Sequence, residues 1–342
     1  MTRWRPIVRI ITTMTAASNR RTGLVSVAKQ RRGRPIDGIL VLDKPTGMTS
    51  NAALQTVKRL FAAAKAGHTG SLDPLATGVL PICFGEATKF SQYLLDADKV
   101  YRSTFVFGVT TASGDSDGDV LERHDASGLT EQDVEAALAQ FRGDIEQVPS
   151  MYSAIKKDGQ PLYKLARQGI EVERAARAVT IHELRLEAFR PASNVSGAQA
   201  EADVWVHCSK GTYVRSLAED VGRVLGCGAH VGSLRRVQSG PFGAADSVSL
   251  TTLEGLKARE AFAEMDALLR DTTLALGALP RVVLAEAAGF YLRQGQPVLV
   301  PKAPTQGLVQ LQLASGEFIG VGEILDDGRV APRRLVNLPS AG

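Results

Sequence analysis

Apolar positions along the chain change their period several times, and each change marks an element. Gly38 to Leu42 is a short unbroken apolar run, the pattern of a buried strand. Leu54, Val57, Leu60 and Phe61 then share one helical face behind Thr49 or Ser50, either of which can cap a helix, and Gly67 is expected to end it. His68 to Gly78 is rich in Gly, Thr and Pro, which predicts a loop, the usual seat of chemistry. Val79 to Phe84 reads as an interior strand, Glu86 to Leu95 as a helix, and Tyr101 to Val109 as a strand with Phe105 and Phe107 on one face. Thr130 with Asp133 makes a variant capping box for a helix through Phe141, and the polar, proline-bearing stretch Gln147 to Gly169 reads as an excursion from the core. Val179 to Phe189 and Ala198 to Cys208 alternate as neighbouring strands do, and Tyr213 to Leu225 predicts a helix stopped by Gly226. Thr251 to Leu274 is helical in pattern. From Arg281 onward short strands alternate with Gly-rich turns, which predicts a small all-β module beginning near Leu279.

The pattern is thus mixed α and β, and a chain of 342 residues with 44% apolar and 22% charged side chains has the composition of a globular protein of about two domains. No uncharged apolar run approaches the roughly 20 residues that a membrane-crossing helix needs. Three cysteines, Cys83, Cys208 and Cys227, without framework spacing fit a reducing compartment, and the expected location is the cytoplasm.

Charge changes the picture more. Residues 1–36 hold nine Lys or Arg and no acid, while the other 31 basic and 36 acidic groups give −5, so the basic character comes from a leader. A basic leader ahead of a mildly acidic body suggests contact with a polyanion such as nucleic acid. A solubilising disordered tail, an organelle transit peptide, or a true start near Met14 would account for the same residues.

Most catalytic signatures fail. No Gly-rich loop ends in Gly-Lys-Ser/Thr, and Gly226-Cys227-Gly228 lacks the third glycine of a dinucleotide fingerprint. Asp115, Asp117 and Asp119 mimic a calcium loop, but Val120 and Ala126 stand where Gly and Glu are required. His207, Cys208, Cys227 and His230 are poor zinc candidates, because adjacent strand residues point to opposite faces. What remains is the loop His68-Thr69-Gly70-Ser71-Leu72-Asp73-Pro74-Leu75-Ala76-Thr77-Gly78, in which Pro74 biases Asp73 toward extended backbone. Taken alone, an Asp before Pro is a turn residue more often than a catalyst.

The wider context is more specific. Asp43-Lys44-Pro45-x-Gly47-Met48, the loop from His68 to Pro81, Gly85-Glu86-Ala87-Thr88-Lys89, Lys99-x-Tyr101-Arg102, Pro149-Ser150-Met151-Tyr152-Ser153-Ala154, Cys208-Ser209-Lys210-Gly211-Thr212-Tyr213 with Arg215, Gly226 to Val231 and Leu234-Arg235-Arg236 together resemble the bacterial tRNA pseudouridine-55 synthase family, TruB, from about Arg31 to Val336. Phe318 to Glu323 with Pro332-Arg333-Arg334-Leu335 resembles the PUA-like RNA-binding module that ends such enzymes. Ser71 stands where Thr or Ala is common, and the leader has no counterpart.

The resemblance implies an α+β fold, with a largely antiparallel mixed sheet flanked by helices in residues 37–278, an RNA-contacting insertion at about 147–175, and a β-rich module in 279–342; the leader in 1–36 is expected, from its composition, to be disordered. It implies isomerisation of a T-loop uridine of tRNA, without metal or organic cofactor; a monomer is expected, and the sequence points to no protein partner. Asp73 would be the nucleophile, Arg215 would hold it charged, and Tyr101 would stack on the uracil and assist proton removal from C5. His68 would order the RNA around the extruded base, Lys44 would support the pocket, and Tyr213 and Leu234 would line it. Lys156, Lys157, Lys164 and Arg167 would let the insertion grip RNA. A non-catalytic RNA chaperone, or a synthase acting on another RNA, would use many of the same features.

Overall fold

The computed structural model describes residues 33–153, 155–192 and 199–337; most of the basic leader lies outside them. Eight strands form one long sheet in the order Val248–Ser249, Gly38–Lys44, Thr77–Phe84, Ala229–Ser239, Lys99–Phe107, Glu201–Cys208, Arg177–Arg190 and Gly143–Gln147. Ala66–His68 and Phe242–Gly243 pair off this path, which brings the sheet to ten strands. The pairing is antiparallel except at two places, Gly38–Lys44 with Val248–Ser249 and Thr77–Phe84 with Ala229–Ser239. The second parallel contact is only Arg235 beside Thr77 and Arg236 beside Gly78, and it joins the two halves of the sheet. Gly78 has φ +99°, and a Cβ there would lie 2.2 Å from the Arg236 carbonyl oxygen, so this junction requires glycine.

The main core lies on one face. Leu40, Leu42, Leu80, Ile82, Phe84, Phe105, Phe107, Val204 and Val206 project from the sheet onto the helices Ser50–Leu60, Glu131–Ala139, Val214–Val224 and Leu250–Ala258. Leu54, Val57 and Phe61 are buried as their spacing predicts, but the helix ends at Leu60, with Ala62 at φ +50°, before Gly67 is reached. The chain instead re-enters the sheet at Ala66–His68, because those residues extend the Thr77–Phe84 pairing. The expected helix after Phe84 is a 3₁₀ turn, Gly85–Phe90, followed by a short α-helix, Ser91–Asp96. The capping box at Thr130 and Asp133 forms in full.

Beyond Arg281 a separate five-stranded sheet packs on its own core of Val282, Leu284, Val309, Leu311, Leu313, Ile319 and Val330. This part is not all-β: the Glu286–Arg293 helix buries Gly289 and Leu292 against the sheet. It docks on the preceding segment through Phe90, Leu276 and Val321, with Phe90 edge-on to Phe318 at 5.3 Å, and Lys89 Nζ donates to the Leu335 carbonyl at 2.9 Å. Within the excursion after Gln147, Lys156–Lys157 and Gln160–Pro161 form a hairpin whose two turn residues, Asp158 and Gly159, both have positive φ, the geometry that an Asp-Gly pair favours.

Candidate active site

Asp73 sits on the loop between Ala66–His68 and Thr77–Phe84, and the residues on either side of it are clamped. The Ser50 hydroxyl, turned inward beside the helix-capping Thr49, receives the Leu72 N–H at 2.7 Å and donates to the Leu72 carbonyl at 3.0 Å. On the other side, the Pro74 carbonyl accepts from Gly47 N–H at 2.8 Å and from Lys44 Nζ at 3.4 Å. Arg236 Nη2 donates to the Gly70 carbonyl at 3.1 Å. The carboxylate therefore projects from a loop fixed at several backbone points.

Its partner comes from the first turn of the Val214–Val224 helix. Arg215 Nε lies 2.9 Å from Asp73 Oδ2 and 3.8 Å from Asp115 Oδ2. The same guanidinium donates to the Ser113 carbonyl at 2.6 Å and to the Tyr152 carbonyl at 3.0 Å. The Arg215 side chain is 4% exposed and Asp73 40%, so the arginine is a fixed wall and the carboxylate is the open end of the pair. The helix start that aims Arg215 is held by Gln147, whose amide receives the Tyr213 N–H at 2.8 Å and donates to the Tyr213 carbonyl at 3.0 Å.

Around this pair lies a cavity of about 320 Å³, at the small end of ligand pockets. Gly70, Asp73, Lys99, Tyr101, Ser153, Ser209, Thr212, Tyr213, Arg215, Leu234 and Arg236 are among its walls. Thus Asp73, Tyr101, Arg215, Tyr213 and Leu234 meet at one place. Lys44 and His68 do not line it. Lys44 is wholly buried and its ammonium donates to the Pro45, Met48 and Pro74 carbonyls, which leaves no face for substrate; it braces the loop instead. His68 is half-buried on the sheet edge, and its Nδ1 has no hydrogen-bond partner among the described residues.

The electrostatics follow from burial. Removal from water raises the Asp73 pKa above the ordinary carboxylate value; Arg215 opposes this and the Asp115 charge adds to it. Burial also raises the Tyr101 phenol, against the opposing pull of Arg236, and keeps it neutral. Lys44 and Lys99 are both pulled down to about 8 by burial, and His68 is lowered by burial and by Arg236. Cys83 and Cys208 are buried thiols pushed up to about 12 and about 11, so neither is a nucleophile at neutral pH.

Three functional candidates escaped the sequence reading. Asp115, which the sequence offers only as part of a failed calcium loop, is 4% exposed with its carboxylate toward Arg215. Arg236 is a buried cation whose Nε donates to the Val79 carbonyl at 2.7 Å, and Gln147 is the clamp on Tyr213. The clue for Arg236 was its place in the Leu234-Arg235-Arg236 segment; Gln147 carried no local signal.

A model of the TruB family pseudouridylate synthase N-terminal domain matches residues 58–214. The tRNA pseudouridylate synthase B C-terminal domain matches 215–279, and the C-terminal model of pseudouridine synthase II TruB matches 280–336. The tRNA pseudouridine synthase B of Pseudomonas aeruginosa strain UCBPP-PA14 is 56% identical over 307 residues, covering 90% of this chain and 98% of that protein. The chain belongs to the TruB family of pseudouridine synthases. The Coxiella burnetii strain RSA 493 synthase B is 54% identical over 303 residues, covering 89% of this chain and 96% of that one. In three dimensions this TruB chain is similar to the solved H/ACA RNP bound to a substrate RNA containing 2′-deoxyuridine, with a TM-score of 0.66 at 23% identity and 92% of each chain covered. The Cbf5-Nop10-Gar1 complex follows at 0.65 and 24%, covering 87% of this chain and 84% of that one. At those identities the likeness is one of fold.

Proposed function

We propose that this chain converts the T-loop uridine at tRNA position 55 into pseudouridine, acting as a single chain in the cytoplasm, with Asp73 as its nucleophile. One observation carries the reading: in a TruB-family chain, an open carboxylate stands 2.9 Å from a buried, immobile guanidinium at the wall of a cavity of nucleoside size. The reaction is an isomerisation. The bond from ribose C1′ to uracil N1 breaks, the base turns, C5 bonds to C1′, and the C5 proton leaves while N1 gains one, so no atom is added or lost.

Arg215 keeps Asp73 ionised against the pull of burial and holds it toward the nucleoside. Uncoupling the uracil from its stack costs a few kcal/mol, and we assign the recovery to stacking on Tyr101 and contact with Tyr213 and Leu234. Tyr101, with Arg236 beside its hydroxyl, is our choice for helping the C5 proton away. Lys44 acts through the loop it braces, and His68, with its unpartnered ring nitrogen, orders the RNA at the vacated position. The hairpin carrying Lys156 and Lys157, with Lys164 and Arg167 on the following turn, supplies phosphate contacts over the site, and residues 279–342 form a second RNA-binding domain behind the catalytic body, residues 37–278.

Replacing Asp73 with Asn tests the assignment, because it keeps the shape and removes the charge. Pseudouridine formation in a T-arm transcript should disappear while tRNA affinity stays within a few-fold. Retained isomerisation would refute the role of Asp73, and loss of binding alone would favour an RNA chaperone.

A further inference from the structure

The back of the sheet carries a cluster that the isomerisation does not use. Val206 and Cys208 are buried on the face that carries Tyr101, so His207 between them is turned to the opposite face. The neighbouring Arg177–Arg190 strand is irregular between Ile181 and Glu183, where one extra residue, His182, is inserted. An extra residue of this kind re-aims side chains, and here the two imidazole rings lie 4.8 Å apart. Asp98, in the turn before Lys99–Phe107, places Oδ2 3.3 Å from His182 Nε2 and 3.8 Å from His207 Nε2. The three donor atoms lie within 4.8 Å of one another. Around a tetrahedral ion with ligands at about 2.0–2.2 Å, donor atoms stand about 3.3–3.6 Å apart, so small side-chain adjustments would seat a metal.

We propose that Asp98, His182 and His207 form a binding site for a borderline divalent transition-metal ion, Zn²⁺ or its neighbours Ni²⁺ and Cu²⁺, with one coordination position left to water. Two imidazoles and one carboxylate select these ions over Mg²⁺ and Ca²⁺, which take oxygen ligands. The His182 and His207 side chains are each 37% exposed and Asp98 49%, so an ion has a path in. The residues outside the described part contain no His, Cys, Asp or Glu, so they bring no side chain of those types to compete for the metal. The ion takes no part in the chemistry, which lies on the other face. It ties the turn leading to Lys99 to the strand end leading to Ser209, and both of those residues line the cavity.

The test is calorimetric titration of the untagged, metal-stripped full chain with ZnCl₂, followed by thermal melting with and without the ion. One equivalent should bind, and the melting midpoint should rise. His182→Gln and His207→Gln should each weaken binding at least tenfold, since loss of even an outer hydrogen bond to a ligand costs about 10- to 100-fold. His124→Gln, which alters a different exposed histidine paired with Glu122, should change nothing. Should a histidine variant fail to fold, Asp98→Asn in the surface turn carries the same expectation. Absence of stoichiometric Zn²⁺ binding by the wild type, or equal binding by the His182→Gln/His207→Gln double variant, overturns the site.

Discussion

On the proposed mechanism the Asp73 carboxylate acts only when ionised; it is held among groups that pull its pKa both ways, and the sign of each can be tested. Burial and the Asp115 charge raise the Asp73 pKa, while Arg215 lowers it, and the balance is a rise. Activity that needs the ionised form is lost as pH falls through that raised value, so the acid limb of the kcat/KM profile should lie above the ordinary carboxylate range near pH 3.9. Asp115→Asn removes a raising charge, and the limb should move to lower pH; an unmoved limb would mean that another group sets it. Arg215 is held more tightly than its charge alone requires, because two of its donors are spent on the Ser113 and Tyr152 carbonyls. Arg215→Met leaves the two buried carbonyls and the partly exposed Asp73 carboxylate without their partner. A cost of about 1–3 kcal/mol in urea unfolding is expected, together with loss of turnover. Lys44 has a different signature. Its folded-state pKa of about 8 lies below the unfolded value near 10.4, so the unfolded chain binds more protons between those values and stability should rise with pH through that window. A Lys44→Met variant should lose part of that rise in denaturation at pH 8 to 10.

At the scale of elements, the site depends on a loop that local structure alone would not hold. Thr49 caps the Ser50–Leu60 helix by accepting the Ala52 N–H, which frees Ser50 to turn inward and pin both backbone groups of Leu72. The sequence permits either residue as the cap, and only the packing decides that one caps while the other braces the catalytic loop. Ser50→Ala would leave the Leu72 N–H and carbonyl without a partner, at about 1–3 kcal/mol. The loop would loosen beside Asp73 without altering the cavity walls, so kcat should fall while KM for tRNA changes little; steady-state kinetics with a T-arm substrate separates the two. Strands and helices with a clear period, such as Phe105 and Phe107 on one face or Leu54, Val57 and Phe61 on another, were legible because burial repeats along the chain. The Ala66–His68 strand, the break of the 86–95 helix and the Glu286–Arg293 helix were not, because each is decided by a partner distant in sequence. Within the site, Asp73, Tyr101 and Arg215 stood in recognisable segments, whereas Asp115 and Gln147 gain their meaning only when the Val214–Val224 helix is brought against them.

Across the whole molecule, the catalytic sheet and the terminal five-stranded sheet meet through a small apolar contact rather than a continuous core. Phe90 is fully buried against Leu276, Val321 and Phe318, and the polar links include the Lys89 bond to the Leu335 carbonyl, the Asn337 N–H donated to Glu86, and the Gln310 amide donated to the Leu276 carbonyl. This contact holds the second sheet in place, and on the proposed reading it sets the face that sheet turns to RNA. Two RNA-contacting bodies held in fixed geometry act at high effective concentration, and loosening one lowers affinity without touching the chemistry. Phe318→Ala removes the half-buried ring from this contact while leaving Phe90 and the larger sheet intact, at a cost of about 1–3 kcal/mol to the docked arrangement. KM for full-length tRNA should then rise several-fold with kcat near the wild-type value, and small-angle scattering should show an expanded particle. A T-arm fragment too short to reach the second sheet should be processed equally by both proteins. On the proposed reading both bodies bind phosphate through Lys and Arg, so salt should weaken full-length tRNA more steeply than the fragment, since the slope of affinity against salt counts the phosphates neutralised. If Phe318→Ala lowered kcat and left KM unchanged, the terminal sheet would be supporting the active site rather than holding RNA.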